Sequence, residues 1–426
     1  MADAAPEAAA PHRRRVFYGW WIVTAGAGIQ LLAGALIGQA FGAYVVLLRE
    51  EFGWSKTVLS AASSLREAES GVTGPLQGWL LNRLGPRLVM QIGLVIFAGG
   101  FFWFAFVDSL LAFFGAFFVI SVGASLCGYL TITYAAVQWF ERRRATAISL
   151  TTAGFAAGGI ASRLTVQSME QLGWRETAFL SGIILLVLGL PLAQLIRWRP
   201  ADSGLLVDGD PPHAELSPGG MTRLELDASR DFTLREALHT RAFWFVSFGH
   251  ASALFIVSAM NVHLLSHLKE SLGYSLSFAA TIALVLPLLF LTGTMIGGPV
   301  GDRFSKRWLV VGCMFGHASG LLLLAYASNV AMVLAFTVLH GLAWGLRGPQ
   351  MAAIRADYFG RSSFATILGF SNMIIIIGTI SGPIIAGFMY DQTGDYRLGF
   401  DILAGLAAAG SVFFIFATKP VRPARA

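Results

Sequence analysis

The chain is short of charge. Only 13% of its 426 residues are Asp, Glu, Lys or Arg, about half the share that lets a water-soluble domain cover its surface. Cysteine is scarce too. Cys127 and Cys313 both fall inside apolar stretches, so neither a disulfide framework nor a zinc cluster is expected. Lysine occurs four times and never after glycine, which excludes the Gly-Lys phosphate loop of a fused ATPase. Paired catalytic groups at one interface are also missing, so the chain is not read as an enzyme and no cofactor or metal is expected. What remains is apolar: 55% of residues are hydrophobic, gathered in runs long enough for membrane-crossing helices of ~20 residues. The runs are continuous rather than alternating, which excludes a membrane barrel.

The expected fold is therefore an all-α membrane protein with twelve transmembrane helices in two pseudo-symmetric six-helix bundles. The spans fall near 18–47, 57–81, 89–107, 110–138, 145–168 and 177–197, then 241–266, 277–301, 309–327, 330–356, 363–389 and 397–417. A tail (1–17), a first bundle (18–197), a polar linker (198–240), a second bundle (241–417) and a tail (418–426) complete the division. Pro211-Pro212 and Ser217-Pro218-Gly219-Gly220 mark the linker. With the N-terminus inside, the outer loops hold only Arg49, Lys56, Arg175, Lys269 and Arg397 among 30 basic residues. The positive-inside rule then makes both termini and the linker cytoplasmic, and the expected location is the cell membrane. Topology and anionic lipid account for the net charge of +6, so no nucleic-acid partner is called for. The bilayer and a small-molecule substrate are the expected partners, and the chain is expected to work as a monomer.

Three arginines, Arg66, Arg163 and Arg347, interrupt the apolar runs. A cation in lipid costs at least ~2.5 kcal/mol, so such residues face a protein-lined cavity and commonly serve a substrate or ion path. Arg347 shares a helical face with His340, Trp344 and Met351. Its planar fork suits bidentate capture of a carboxylate. Gly345, Gly348 and Pro349 are expected to break or bend the helix there. Arg66 and Glu69 are three residues apart, so they share a face and are expected to pair, with Glu67 beside them. One of these carboxylates could carry protons, or the group could be a permanent ion pair between helices. Arg163 lies near the outer end of its span and reads as structural or gate-forming. Further substrate-contact candidates are Gln39, Tyr129, Tyr134, Asn261 and Asn372, with Gln30, Thr131 and His250 as other polar intramembrane residues. His263 and His267 have metal-ligand spacing, but two ligands make no zinc site.

A repeat links the two halves. Gly78-x-x-x-Asn82-Arg83-x-x-x-Arg87 and Gly298-x-x-x-Asp302-Arg303-x-x-x-Arg307 follow the second and eighth spans at one constant offset. This matched pair resembles the major facilitator superfamily, and the resemblance implies a loop that latches the inner side in one transport state. Glycine lets two helices approach closely, and the acidic residue can meet an arginine or a helix N-terminus. With Asn82 in place of the acid, the first latch is expected to be weaker or purely hydrogen-bonded. Phe17-Tyr18-Gly19-Trp20-Trp21, Phe52-Gly53-Trp54-Ser55, Trp139-Phe140-Glu141-Arg142-Arg143-Arg144 and Gly382-Pro383 running into Asp391–Tyr396 look like the monocarboxylate-transporter and oxalate/formate-antiporter branch. That resemblance implies a secondary transporter of small organic anions, mono- or dicarboxylates, working by alternating access with protons or by exchange. The branch generally has a basic residue in the eighth span, and its oxalate exchangers have one in the eleventh. Residues 277–301 and 363–389 contain neither Lys nor Arg, so the cationic work must lie elsewhere. A proton-antiporting exporter is the rival transport reading, disfavoured because Gly154-Phe-Ala-Ala-Gly158-Gly159 lacks the proline of export-type motifs. A non-transporting sensor is the rival outside transport, and the linker is too short and polar for its signalling domain.

Overall fold

The computed structural model describes residues 16–210 and 231–421, with the side chains of 56–57, 60–64, 67, 276 and 280 outside the description. No strand occurs among them. Ten helices are long and apolar enough to cross a membrane by those criteria alone. Two more crossings complete the set. The Lys56–Ala105 element is two helices joined at Gly85, whose φ of 77° no helix accommodates. Arg144–Leu172 is long enough but carries Arg163, Gln167 and Glu170 among Gly, Ser and Thr residues, which dilutes its hydropathy.

In chain order the helices are α1 (Gly19–Phe52), α2 (56–84), α3 (86–105), α4 (Leu110–Trp139), α5 (Arg144–Leu172) and α6 (Trp174–Gln194). The second half has α7 (Arg241–Ser271), α8 (Leu276–Arg303), α9 (Lys306–Ala325), α10 (Val330–Phe359), α11 (Phe364–Thr393) and α12 (Arg397–Phe416). Side-chain oxygens start many of them: Ser55, Ser109, Thr240, Ser275 and Asn329 each accept from a backbone amide of the first turn, a donor the helix cannot satisfy itself. Glycines let the helices touch. A Cβ at Gly123 of α4 would meet the Phe97 amide of α3 at 2.3 Å, and one at Gly154 of α5 would meet the Ala27 carbonyl of α1 at 2.1 Å. The apolar core of the first half, which includes Phe97, Phe101, Phe104, Phe113 and Phe117, runs on into α10 and α11 through Ala352, Ala356 and Phe364, and the second half buries a further core of its own.

The halves meet through α2 with α11 and α5 with α8. Along the first seam, Gly74 and Gly369 stand so close that a Cβ on Gly369 would lie 2.2 Å from the Gly74 carbonyl. Gly78 meets Ala365 and Thr366 in the same way, and Gly298 meets Thr146 and Ser149 across the second seam. All these contacts lie towards the face that carries the interdomain linker.

Helix α4 is broken at Gly128, whose ψ of −150° interrupts it midway. The sequence reading put a break in α10 instead. There Gly345, Gly348 and Pro349 leave the helix continuous. Gly345 serves a different purpose, since a Cβ on it would lie 2.1 Å from the Phe290 carbonyl of α8. Close approach, not a kink, is what this glycine provides.

Candidate functional site

The break at Gly128 organises the first half of a mid-span polar site. At the break the Ser125 carbonyl keeps a tight-turn bond from the Gly128 amide at 3.1 Å, and side chains add to it. Gln77 of α2 donates to the Ser125 carbonyl at 2.6 Å and to the Thr131 hydroxyl at 3.1 Å, while Thr131 donates to the Leu126 carbonyl at 2.5 Å. Glu69, 6% exposed, sits beside them. Its two carboxylate oxygens accept from Thr73 and Ser125, both at 2.8 Å. The expected Arg66–Glu69 ion pair is therefore absent among the described residues: the carboxylate turns to hydroxyls at the α4 break, and Arg66 stays half-buried. Glu67 has its side chain outside the described ones. Arg163 is exposed on α5.

The second half contributes Arg347. It is 1% exposed, yet its Nε and Nη1 have no hydrogen-bond partner. Leaving buried donors of a cation unmet is costly. Around it stand Tyr129 and Cys313, within electrostatic reach, and His250, His317 and His340 in the same field. Tyr129, just past the α4 break, is 37% exposed although it lies mid-span. Arg347 and Arg355 both lie within its electrostatic reach. Trp344 is half-buried and packs its ring 4.6 Å from that of Phe290.

Arg355 is a second cation on α10, one that sequence reading did not single out. It is equally buried, donates from Nε and Nη2 to Ser371 at 3.1 and 2.6 Å, and from Nη1 back to the Met351 carbonyl at 2.6 Å. Its side chain thus folds along α10 towards Arg347. Position within Ala-Ala-Ile-Arg-Ala was the available signal. Gln77, Ser125 and His317 were missed because lone polar residues in apolar helices usually serve packing.

Other candidates lie elsewhere. Tyr134 is packed inside the first half, accepting from Trp198 at 3.0 Å. Gln39 is exposed beside Gly159, Asn261 is exposed, and Asn372 is half-buried on α11. His263 bonds Tyr396 and the Pro383 carbonyl, and His267 bonds the Leu324 carbonyl. Among the described residues no group of three His, Cys, Asp or Glu could hold a metal ion.

The linker face is held shut by a latch. Asp302 accepts from the Ala145 and Thr146 amides at 2.8 and 3.1 Å and from the Thr146 hydroxyl at 2.6 Å, capping α5 of the opposite half. Its counterpart Asn82 makes a single bond, 2.7 Å to Thr366, and its own oxygen is unpartnered. The motif arginines do not cross. Arg83 lies over Trp79, Arg87 bonds Gln194 and Arg307 lies over Trp308, while Arg303 is exposed. The ion pairs that do cross are Arg144, at the start of α5, with Asp357, near the end of α10, and Glu141 with Arg361, from the loops after α4 and α10. Linker residues grip the same loops: Asp208 accepts from the Glu141 and Arg142 amides, and Asp231 from those of Arg361 and Ser362.

The model of the Major Facilitator Superfamily matches residues 26–289 and 246–426. The chain belongs to that superfamily. It is a multi-pass membrane transporter with the superfamily's two six-helix halves, and it binds a small-molecule substrate rather than catalysing a reaction. Among similar proteins, human monocarboxylate transporter 11 is 26% identical over 93% of this chain and 82% of its own length. The hexuronate transporter of Bacillus subtilis is 24% identical over 81% of this chain and 82% of its own. A probable sulfoacetate transporter of Cupriavidus necator is 24% identical, covering 87% of each. In fold, the E. coli fucose:proton symporter FucP superposes with a TM-score of 0.72 at 17% identity, covering 95% of this chain and all of that one. A double-tryptophan mutant of XylE gives 0.77 at 15% identity, covering 96% and 97%.

Proposed function

We propose that the chain carries a small organic anion, a mono- or dicarboxylate, across the cell membrane by alternating access, with protons or by exchange. The observation that carries the proposal is Arg347: a buried guanidinium with two unmet donors at mid-span, in a superfamily transporter whose relatives are named for monocarboxylates, hexuronate and sulfoacetate. The substrate carboxylate takes up Nε and Nη1, with Tyr129 and Trp344 beside it. The moving units are residues 18–197 and 241–417, and 198–240 joins them on the cytoplasmic side, where the basic residues gather. In this state the cytoplasmic latch is closed, so substrate reaches the site from outside. Opening the latch and closing the outer halves releases it inward. Glu69, buried at the α4 break, is a proton carrier in the first half.

The test is uptake into proteoliposomes of labelled pyruvate, glucuronate, gentisate and sulfoacetate, with and without an imposed pH gradient. Wild type takes up at least one of them. Arg347→Ala loses that uptake by roughly 30-fold or more, the ~2–5 kcal/mol typical of truncating a buried charge partner, while its insertion and folding persist. Uptake by Arg347→Ala at the wild-type rate removes the anion clamp. Glu69→Gln flattens the response to the pH gradient, and an unchanged response returns Glu69 to a structural role.

A further inference from the structure

His317 of α9 and His340 of α10 are 0% and 1% exposed, and their Nδ1 atoms stand 3.1 Å apart. Two imidazoles that meet nitrogen to nitrogen must share one proton, one ring donating and the other accepting. The far nitrogen of His317, Nε2, is buried with no partner. If His317 donates through Nδ1, that Nε2 is a bare lone pair in a site with nothing to satisfy it, which is the arrangement of a proton acceptor. His340 lies two helical turns from Arg347 on the same face of α10. The pair thus leaves one ring nitrogen open within the electrostatic field of Arg347.

The surroundings supply little other charge. On α9 the neighbouring titratable group is Cys313, which also lies by Arg347. Helix α8 has no charged residue between 277 and 301. On α12, Asp401 accepts from Tyr326 at 2.7 Å, and Tyr326 is the cap at the far end of α9. On α7, His250 lies in the field of Arg347 and Arg355. The fixed charge acting on the pair is therefore that of Arg347.

We propose that His317 and His340 form one proton-binding site in the second half, whose occupancy follows the charge at Arg347. While the guanidinium is bare, a second positive charge beside it is opposed. An anion seated on Arg347 cancels that charge, and a proton from water on the open side then joins the Nε2 lone pair. Anion and proton are held together, cross together and leave together when the anion departs and Arg347 again repels the imidazolium. This couples the two fluxes without contact between proton carrier and substrate, by linkage alone. It rests on the anion reading of Arg347 for its physiological use, and it is distinct from any proton carried by Glu69.

The full chain in lipid nanodiscs, labelled with 15N at histidine, tests it without any substrate. Subtracting spectra of His317→Gln/His340→Gln isolates the signals of the pair. In Arg347→Gln the pair accepts its extra proton at a pH higher than in wild type by about one unit or more, as expected for losing an adjacent like charge. Identical titrations overturn the proposal. In a lightly buffered suspension, adding pyruvate, glucuronate, gentisate or sulfoacetate to wild type draws protons from solution, and the double variant takes up fewer. Equal proton uptake by the two also overturns it. In proteoliposomes the uptake of the double variant, whatever its rate, responds less to pH than that of wild type. If none of the four anions binds wild type, the anion reading fails while the Arg347→Gln titration still decides the histidine pair.

Discussion

On the proposed reading Arg347 is expensive to the fold and is kept where it is for its ligand. An uncompensated cation among apolar helices costs about 2.5–3.5 kcal/mol even on the mildest scale. Its removal therefore has opposite effects on two measurements. Arg347→Met raises the apparent melting temperature in detergent by a few degrees while abolishing uptake. A lower melting temperature would mean that the guanidinium holds the bundle together instead of waiting for a ligand. Sequence made Arg347 legible because charge in a 20-residue apolar run has few innocent explanations. Arg355 was illegible for the reason that it stands near a helix end, where a basic residue normally reports topology. The Arg66–Glu69 pair failed at the same scale. Spacing on a helix gives proximity, but which partner a carboxylate takes is decided by what the next helix offers, here the Ser125 hydroxyl.

Among the helices, the seam between α2 and α11 is set by glycine. Gly74, Gly78 and Gly369 allow backbone to meet backbone, a contact that any side chain would prevent. Gly369→Val therefore wedges the linker face apart. The expected result is that a cysteine introduced at Asn82 becomes reactive to a water-soluble maleimide, with uptake reduced by at least tenfold. Continued protection would show that the latch closes without this contact. The crossings could be read from apolar runs because their length is set by bilayer thickness, α5 being the most diluted by polar residues. The break in α4 could not. Gly128 is flanked by apolar residues just as many packing glycines are, and only the carbonyl bonds of Gln77 and Thr131 distinguish it.

For the molecule as a whole, the repeated loop motif gave away two halves and a latch, yet its arginines stay within their own halves. The ion pairs that cross join Glu141 to Arg361 and Arg144 to Asp357, at the next junctions on the linker side. Rocking requires these contacts to break. Asn82→Cys with Thr366→Cys replaces a hydrogen bond of 2.7 Å with a pair of thiols able to bridge. Oxidation should stop net transport, and reductant should restore it. Cys127 and Cys313 are buried and leave the readout clean. Transport that survives full oxidation would show that this face does not open in the cycle.

The unequal pair formed by Asp302 and Asn82 gives that opening a direction. One edge is fastened by a carboxylate to two amides and a hydroxyl, the other by one amide-to-hydroxyl bond. In the proposed cycle the first edge then acts as the hinge of a door and the second as its handle, the passage widening from the α2 and α11 side with α5 and α8 as the pivot.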